Sequence, residues 1–231
     1  TIDGNMQLYS VEQGRQQLLE GHAGSFGNIV VADGESPAGL LAFTERKQGT
    51  QETKLHIMDI SKTRGKDASP PFKIQAEIVL PPEAPGDFAV GLHLSEKHGV
   101  VYMITKQGFL LVFDIASATM LVRTRVSEES VFVSTVSNKS GGCILVNRKG
   151  QVIAVSVNEA AIVGYVMNQL VHVSSRQEIA FNLAKRFGLP GADALFQSHF
   201  SQYFAAGDYK NAAVLAAQCK SGFLRTPETI Q

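Results

Sequence analysis

The chain has 231 residues, 44% of them hydrophobic, which is ample for a packed core. Lys plus Arg and Asp plus Glu each number 21, so there is no net charge to draw the chain onto nucleic acid or an anionic bilayer. No apolar run approaches the roughly 18 residues of a membrane-spanning helix, so we expect a folded, soluble protein.

Cysteine usage and the chain ends indicate the setting. Cys143 falls in a strand-like run and Cys219 ends a helix-like run, so we expect no disulfide and a reducing, cytosolic compartment. The chain opens at Thr1 without an initiator Met, and it closes in GFLRTPETIQ, where Thr-Pro-Glu starts a helix that stops after one turn. We interpret both ends as cuts through a longer protein.

A strand pattern recurs along the first 160 residues. Alternating apolar residues ending in Ser or Asp and then Val or Ile occur as QLYSV, LHIMDI, LLVFDI and VIAVSV, with the last residues at 11, 60, 115 and 157. Two of these segments follow a turn in which Gly comes after a basic or polar pair, as in TKQGFL and NRKGQV, which is typical of a hairpin. A repeat of about 40 to 50 residues containing several short strands predicts propeller blades.

Within each repeat the strands can be counted. One full blade is predicted from strands at 88–94, 99–105, 109–115 and 119–126. The next repeat has candidates at 131–137, 142–147, 151–157 and 160–166. The preceding, looser repeat has candidates at 27–33, 39–46, 53–61 and 76–81, and residues 4–11 are predicted to end a still earlier blade.

After about residue 160 the period changes from strand to helix. RQEIAFNLAKRF (176–187) and DALFQSHFSQYF (193–204) carry apolar residues at helical spacing. Gly188 is predicted to cap the first helix, Pro190 to open the second, and Gly207 with Asp208 to separate two more. We therefore predict two domains: residues 1–160 as all-β propeller blades, and residues 161–231 as the start of an α-helical solenoid of α-α hairpin repeats.

Candidate chemical sites are weak, and we predict no catalytic, metal or cofactor site. His93, Glu96 and His98 invite a metal, but strand alternation should point the two histidines apart. GHAGSFG (21–27) lacks the Lys-Ser/Thr of a phosphate loop and is predicted to be an ordinary loop. Cys143 is interpreted as an inert buried thiol, and the stripe of Phe196, Phe200 and Phe204 as core.

Eight motifs, in order and spacing, resemble one known family: GNMQLYSVEQ, EGHAGSF, LPPEAPGDF, LSEKHGVVYMITKQG, VNRKGQV, NLAKRFGLPGA, YFAAGDYKNAA and GFLRTPETI. They cover nearly the whole chain and are similar to the clathrin heavy chains. The resemblance implies the second half of a seven-bladed β-propeller followed by the first helices of the linker. It also implies a structural coat protein of coated pits and vesicles rather than an enzyme. A propeller–solenoid scaffold of another vesicle coat or tethering complex is the alternative, and an enzyme acting at the propeller axis lacks the inward cluster of charged residues it would need.

The resemblance also implies partners and a site. Adaptor proteins would bind through short peptide motifs, while the clathrin light chain and other heavy chains would bind regions outside this segment. Contact with the membrane would be indirect, at its cytoplasmic face. A family groove for a leucine-containing adaptor loop carries over to Leu8, Gln17, Leu19 and Met58, with Gln13 in place of a basic residue. Ordinary blade packing is the alternative role for Leu8 and Met58.

Overall fold

A computed structural model describes residues 5–11, 14–31, 37–46, 53–60, 72–219 and 221–227. Its contacts divide the chain into two units between Ser156 and Val157. The first unit consists of antiparallel strands and the second of helices. The predicted order, strands and then helices, is therefore confirmed, whereas the number of blades and a helical solenoid stay predictions.

Four antiparallel sheets make up the described part of the first unit. They contain thirteen strands: β1 Asn5–Ser10, β2 Arg15–Glu20, β3 Gly24–Ile29, β4 Ala38–Arg46, β5 Thr53–Asp59, β6 Lys73–Ile78, β7 Ala89–Ser95, β8 Val100–Thr105, β9 Phe109–Asp114, β10 Met120–Arg125, β11 Val131–Ser137, β12 Gly142–Asn147 and β13 Val152–Val155. The sheets are β1–β2, β3–β6, β7–β10 and β11–β13, and within each sheet every strand pairs with the next strand of the chain.

The β7–β10 sheet follows its prediction closely. Strands β8 and β9 are buried along their whole length, which explains their nearly continuous apolar sequences VVYMIT and FLLVFD. Asp114 ends β9 and accepts hydrogen bonds from the Ser117 amide (2.8 Å) and hydroxyl (2.6 Å). This carboxylate therefore has a structural role, as the acceptor in the turn after β9.

The first strand of the β7–β10 sheet contacts the first strands of two other sheets, because β3 and β11 both pack on β7. The Leu94 amide donates to Ser25 Oγ (3.1 Å) on β3, while His93 Nε2 lies 2.8 Å from Ser134 Oγ on β11. An apolar cluster fills the space between the β3–β6 and β7–β10 sheets, with Leu40, Ile57 and Met103 among its buried members.

Several strand predictions were wrong. Residues 160–166 are not a strand, because a helix begins at Ile162; a short apolar run such as AIVGYV has no periodicity that distinguishes the two. The predicted loop GHAGSFG becomes strand β3 from Gly24 onward, which shifts the strand predicted at 27–33. Strand β6 covers 73–78 rather than 76–81, and β2 had not been predicted. Pairing with neighbouring strands, which sequence alternation does not report, decides these boundaries.

Four helices form the second unit: α1 Ile162–Gln169, α2 Arg176–Phe187, α3 Asp193–Ala205 and α4 Tyr209–Gln218. Gly188 ends α2 in the left-handed conformation with φ of 61°, as predicted. Asp208 caps α4 by accepting from the Asn211 amide (3.2 Å), also as predicted. Pro190 does not open α3, which begins three residues later.

The helices pack in sequence order, α1 with α2 and α3 with α4. Between α2 and α3 the ring of Phe181 lies edge-on to Phe196 at 5.1 Å and stacks on His199 at 4.1 Å. The predicted core stripe on α3 is only partly correct. Phe196 is buried, but Phe204 is 52% exposed and contacts Tyr209 at the α3–α4 turn, because the stripe runs past the packed part of the helix.

Candidate functional site

The histidines around residue 95 do not converge with Glu96 on one point. His93 contacts Ser134, Glu96 accepts from the Asn28 amide (2.9 Å), and His98 Nδ1 lies 3.4 Å from the Gly141 carbonyl oxygen. The prediction that the histidines point apart was wrong, since both reach the β11–β12 hairpin; His98 lies beyond the end of β7, where strand alternation no longer applies. The described ranges contain no group of three or more His, Cys, Asp or Glu residues placed to hold a metal ion.

The two thiols are inert by burial. Cys143 is fully buried in β12, and burial raises the pKa of its thiol to about 11, so the reactive thiolate is scarce near neutral pH. Cys219 is also buried, and both cysteines are free thiols. The interpretation of Cys143 as a packing residue is confirmed.

Three of the four predicted binding residues lie on one face of the β1–β2 sheet. Leu8 pairs directly with Gln17, and Met6 pairs with Leu19, so these four side chains alternate on the same side. Leu8 and Leu19 are half-buried, while Gln17 is exposed. Gln13, the predicted replacement for a basic residue, lies outside the described residues.

Met58, the fourth predicted residue, lies on β5 of the next sheet. It pairs with Leu41 on β4 and with Lys73 on β6, and it is half-buried. One step along the same face, His56 stacks on Phe43 at 4.7 Å and contacts Glu45 Oε2 at 2.5 Å. The face therefore carries apolar surface in its centre and a cation, Lys73, beside it.

The β1–β2 sheet and this face of the β3–β6 sheet lie against each other. Met6 Sδ is 3.1 Å from the point that a Cβ on Gly24 would occupy. Gly24 pairs with Phe43, which in turn pairs with His56, so all three share the face of Met58. Met6, on the face of Leu8, Gln17 and Leu19, thus contacts the face that carries Met58, and we call these two faces together the β1–β5 groove.

Comparisons with known proteins agree with the sequence motifs. The family model described as Clathrin-H-link matches residues 188–231. Over 99% of the present chain, the sequence is 43% identical to clathrin heavy chain 1 of Oryza sativa. Over the whole of the present chain, it is 39% identical to the clathrin heavy chain of Dictyostelium discoideum. Clathrin heavy chain 2 of Homo sapiens is 38% identical, again over the whole chain. The chain belongs to the clathrin heavy chain family.

The match is complete for this chain but covers a small part of its relatives. The chain spans 13% of the rice and Dictyostelium heavy chains and 14% of the human one. Among solved structures, the β-propeller domain of Cps50 (Swd1) from Myceliophteria thermophila is similar at a TM-score of 0.35 and 9% identity, over 68% of this chain and 59% of that one. That likeness is too low to bear on the fold of this clathrin heavy chain segment.

Lys73 is the residue of the β1–β5 groove that sequence reasoning missed. It is exposed and shares a face with Met58 only because β6 pairs with β5 in this register. Fourteen residues lie between Met58 and Lys73 in the sequence, so only strand pairing, not local spacing, could have identified Lys73. None of the described helices is long and apolar enough to cross a membrane.

Proposed function

We propose that the protein is a structural component of clathrin coats, without enzymatic activity, in which residues 1–160 belong to a seven-bladed propeller and residues 161–231 begin an α-solenoid. Membership of the heavy chain family supports the coat role. The contacts of β3 and β11, each the first strand of its sheet, with β7, and the change from strands to helices, support the architecture. Light chains and other heavy chains bind elsewhere in the longer protein, on the cytoplasmic face of coated pits and vesicles.

We further propose that the β1–β5 groove binds adaptor proteins through an extended apolar and acidic peptide. The observation that supports this is the pairing of Lys73 with Met58, together with the shared face of Leu8, Gln17 and Leu19 on the β1–β2 sheet. A leucine side chain enters between Leu8 and Met58, Gln17 donates a hydrogen bond, and Lys73 attracts an acidic residue. The cation that Gln13 cannot supply is thus provided by a different strand. The membrane is reached only through the adaptors.

A peptide titration tests the groove. We expect Leu8→Ala and Met58→Ala in the full-length protein to weaken binding of a leucine-rich acidic peptide about tenfold or more, since burying a leucine side chain contributes roughly 1.5–3 kcal/mol. Leu18→Ala is the matched control, because Leu18 lies on the opposite face of β2 and is 60% exposed. Unchanged affinity together with a lowered melting temperature would assign Leu8 to packing alone.

The coat role has its own test. The full-length protein is expected to assemble into regular lattices visible by negative-stain electron microscopy, and Leu8→Ala should leave that assembly intact while reducing adaptor binding. A full-length protein that stays unassembled under all conditions in which a known heavy chain assembles would contradict the coat role without bearing on the groove.

A further inference from the structure

A second cavity of ≈ 520 Å³ lies apart from the β1–β5 groove, where the ends of β4 and β6 meet the loop of residues 79–87 that leads to β7. Its lining contains neither Leu8, Gln17, Leu19 nor Met58. Ile78, Leu80 and three prolines supply the apolar part of its walls. Three charged residues also line it: Arg46 and two acidic residues, Glu77 and Asp87.

Asp87 carries a hydrogen-bond acceptor that the protein does not use. The residue is only 2% exposed, and its Oδ1 accepts from the backbone amides of Phe88 (2.9 Å) and Gln107 (3.0 Å). Its Oδ2 is buried and has no hydrogen-bond partner. The adjoining wall cannot supply one readily, because Pro81, Pro82 and Pro85 have no N–H group. A buried carboxylate oxygen without a donor is costly, so a donor from outside would be bound favourably.

Arg46 offers the complementary charge. It ends β4 and is half-buried, and its side chain has no hydrogen bond or ion pair within the described part of the chain. Its charge also affects a neighbouring residue. The pKa of His22 lies below its ordinary value mainly because His22 is partly buried, and the positive charge of Arg46 lowers it further. Because Arg46 forms no ion pair with Glu77 or Asp87, which line the same cavity, its guanidinium is available to a carboxylate from a ligand.

We propose that this cavity is a second docking site, for an extended peptide segment that carries an acidic side chain next to an apolar one. The peptide carboxylate pairs with Arg46, a peptide backbone N–H donates to Asp87 Oδ2, and the apolar side chain packs on Ile78 and the prolines. A peptide presents the acid and the N–H at separate points, so it can contact Arg46 and Asp87 at the same time. The wall around Oδ2 belongs to a loop without strand pairing, which can shift by the small distance that a donor requires.

Photo-crosslinking tests the site in the full-length protein and distinguishes it from the β1–β5 groove. The probe is the blocked peptide Ala-Leu-Asp-Leu-Ala with photoreactive leucines, and mass spectrometry measures labelling of the tryptic segment that contains residues 79–87 against probe concentration. We expect saturable labelling there. Asp87→Asn should raise the half-saturation concentration about tenfold, because the amide keeps the Oδ1 bonds but turns the free acceptor into a donor.

The pairing with Arg46 has a double-mutant test. Replacing the probe's Asp by Asn should weaken labelling of the unmodified protein about tenfold, and Arg46→Gln should do the same and remove the difference between the two probes. Arg123→Gln, an exposed arginine on β10, is the matched control, and Lys73→Glu should leave labelling of this segment unchanged. Absence of saturable labelling, or equal labelling of the unmodified, Asp87→Asn and Arg46→Gln proteins, would overturn the proposal whatever happens at the groove.

Discussion

The hydroxyl of Tyr102 on β8 donates a hydrogen bond of 3.1 Å to the carbonyl oxygen of Gly141, in the turn between β11 and β12. The Ser95 hydroxyl donates to the same oxygen at 2.6 Å, and His98 Nδ1 lies 3.4 Å from it. Three buried side chains of the neighbouring sheet thus contact one backbone carbonyl oxygen. This polar contact joins the β7–β10 sheet to the β11–β13 sheet and fixes their relative position.

Tyr102→Phe should weaken the contact between these sheets by about 1 kcal/mol, the usual net value of one hydrogen bond, because Ser95 still satisfies the carbonyl. Hydrogen–deuterium exchange of β8 and of the β11–β12 hairpin measures this as faster exchange. Tyr9→Phe is the matched control, since Tyr9 is 60% exposed. Equal changes in the two variants would show that the Tyr102 hydroxyl contributes nothing to the sheet contact.

Gly141→Ala should destabilise more than Gly150→Ala, although both glycines have positive φ, at 66° and 77°. A Cβ on Gly141 would lie 2.8 Å from His98 ring atoms, whereas nothing lies within 4 Å of a Cβ on Gly150. We expect about 1 kcal/mol for Gly150→Ala, from the left-handed backbone alone, and about 1–3 kcal/mol in addition for Gly141→Ala from the collision. Thermal melting compares them; similar melting temperatures would mean that the His98 ring moves aside freely.

Cys143 makes stability fall at alkaline pH. Burial raises its pKa from 9.0 to about 11, so between these values the unfolded chain loses a proton that the folded chain keeps. The unfolded state then binds fewer protons, and the free energy of unfolding decreases as pH rises, by up to about 3 kcal/mol in all. Burial raises the pKa of Tyr102 as well, so the free energy of unfolding decreases further above about pH 10.

Urea unfolding between pH 8 and pH 10, followed by circular dichroism of the β signal, isolates the cysteine. The decrease in the free energy of unfolding with rising pH should be smaller in Cys143→Ala. It should be unchanged in Cys219→Ala, because the Cys219 thiol lies in the helical unit. A Cys143→Ala protein that loses stability with pH as steeply as the unmodified one would assign the effect to other groups.

Lys73→Glu should weaken binding of an acidic adaptor peptide to the β1–β5 groove about threefold to tenfold, because an exposed cation contributes roughly 0.2–1 kcal/mol and reversal adds repulsion. The effect should shrink as salt is raised. Lys139→Glu, on an exposed turn residue outside the groove, is the charge-matched control. The same loss with both variants would point to net charge rather than to a local contact.

Much of the β7–β10 sheet and of α2 was predictable from sequence, because local signals there agree with tertiary burial. Strands β8 and β9 are apolar throughout and are separated by a Gly turn, and α2 has a helical stripe that ends at Gly188. Prediction failed at residues 160–166, because the helix that begins there has only eight residues, too few to show a helical period. It also failed at β2, whose sequence RQQLLE is mostly exposed. Neither segment has an alternation strong enough to report its own conformation.

The sequence by itself determined the family and the order of strands and helices, since motif order and the change from strand to helical period are written into the chain. Only the tertiary structure decided that Lys73 lies next to Met58 and that Ser95, His98 and Tyr102 all contact the Gly141 carbonyl oxygen. It also decided that Asp87 keeps an oxygen without a partner and lines the same cavity as Arg46. Each of these depends on strand register or on loops meeting across sheets. Such contacts join residues 15 to 46 positions apart, and no local pattern of side chains encodes them.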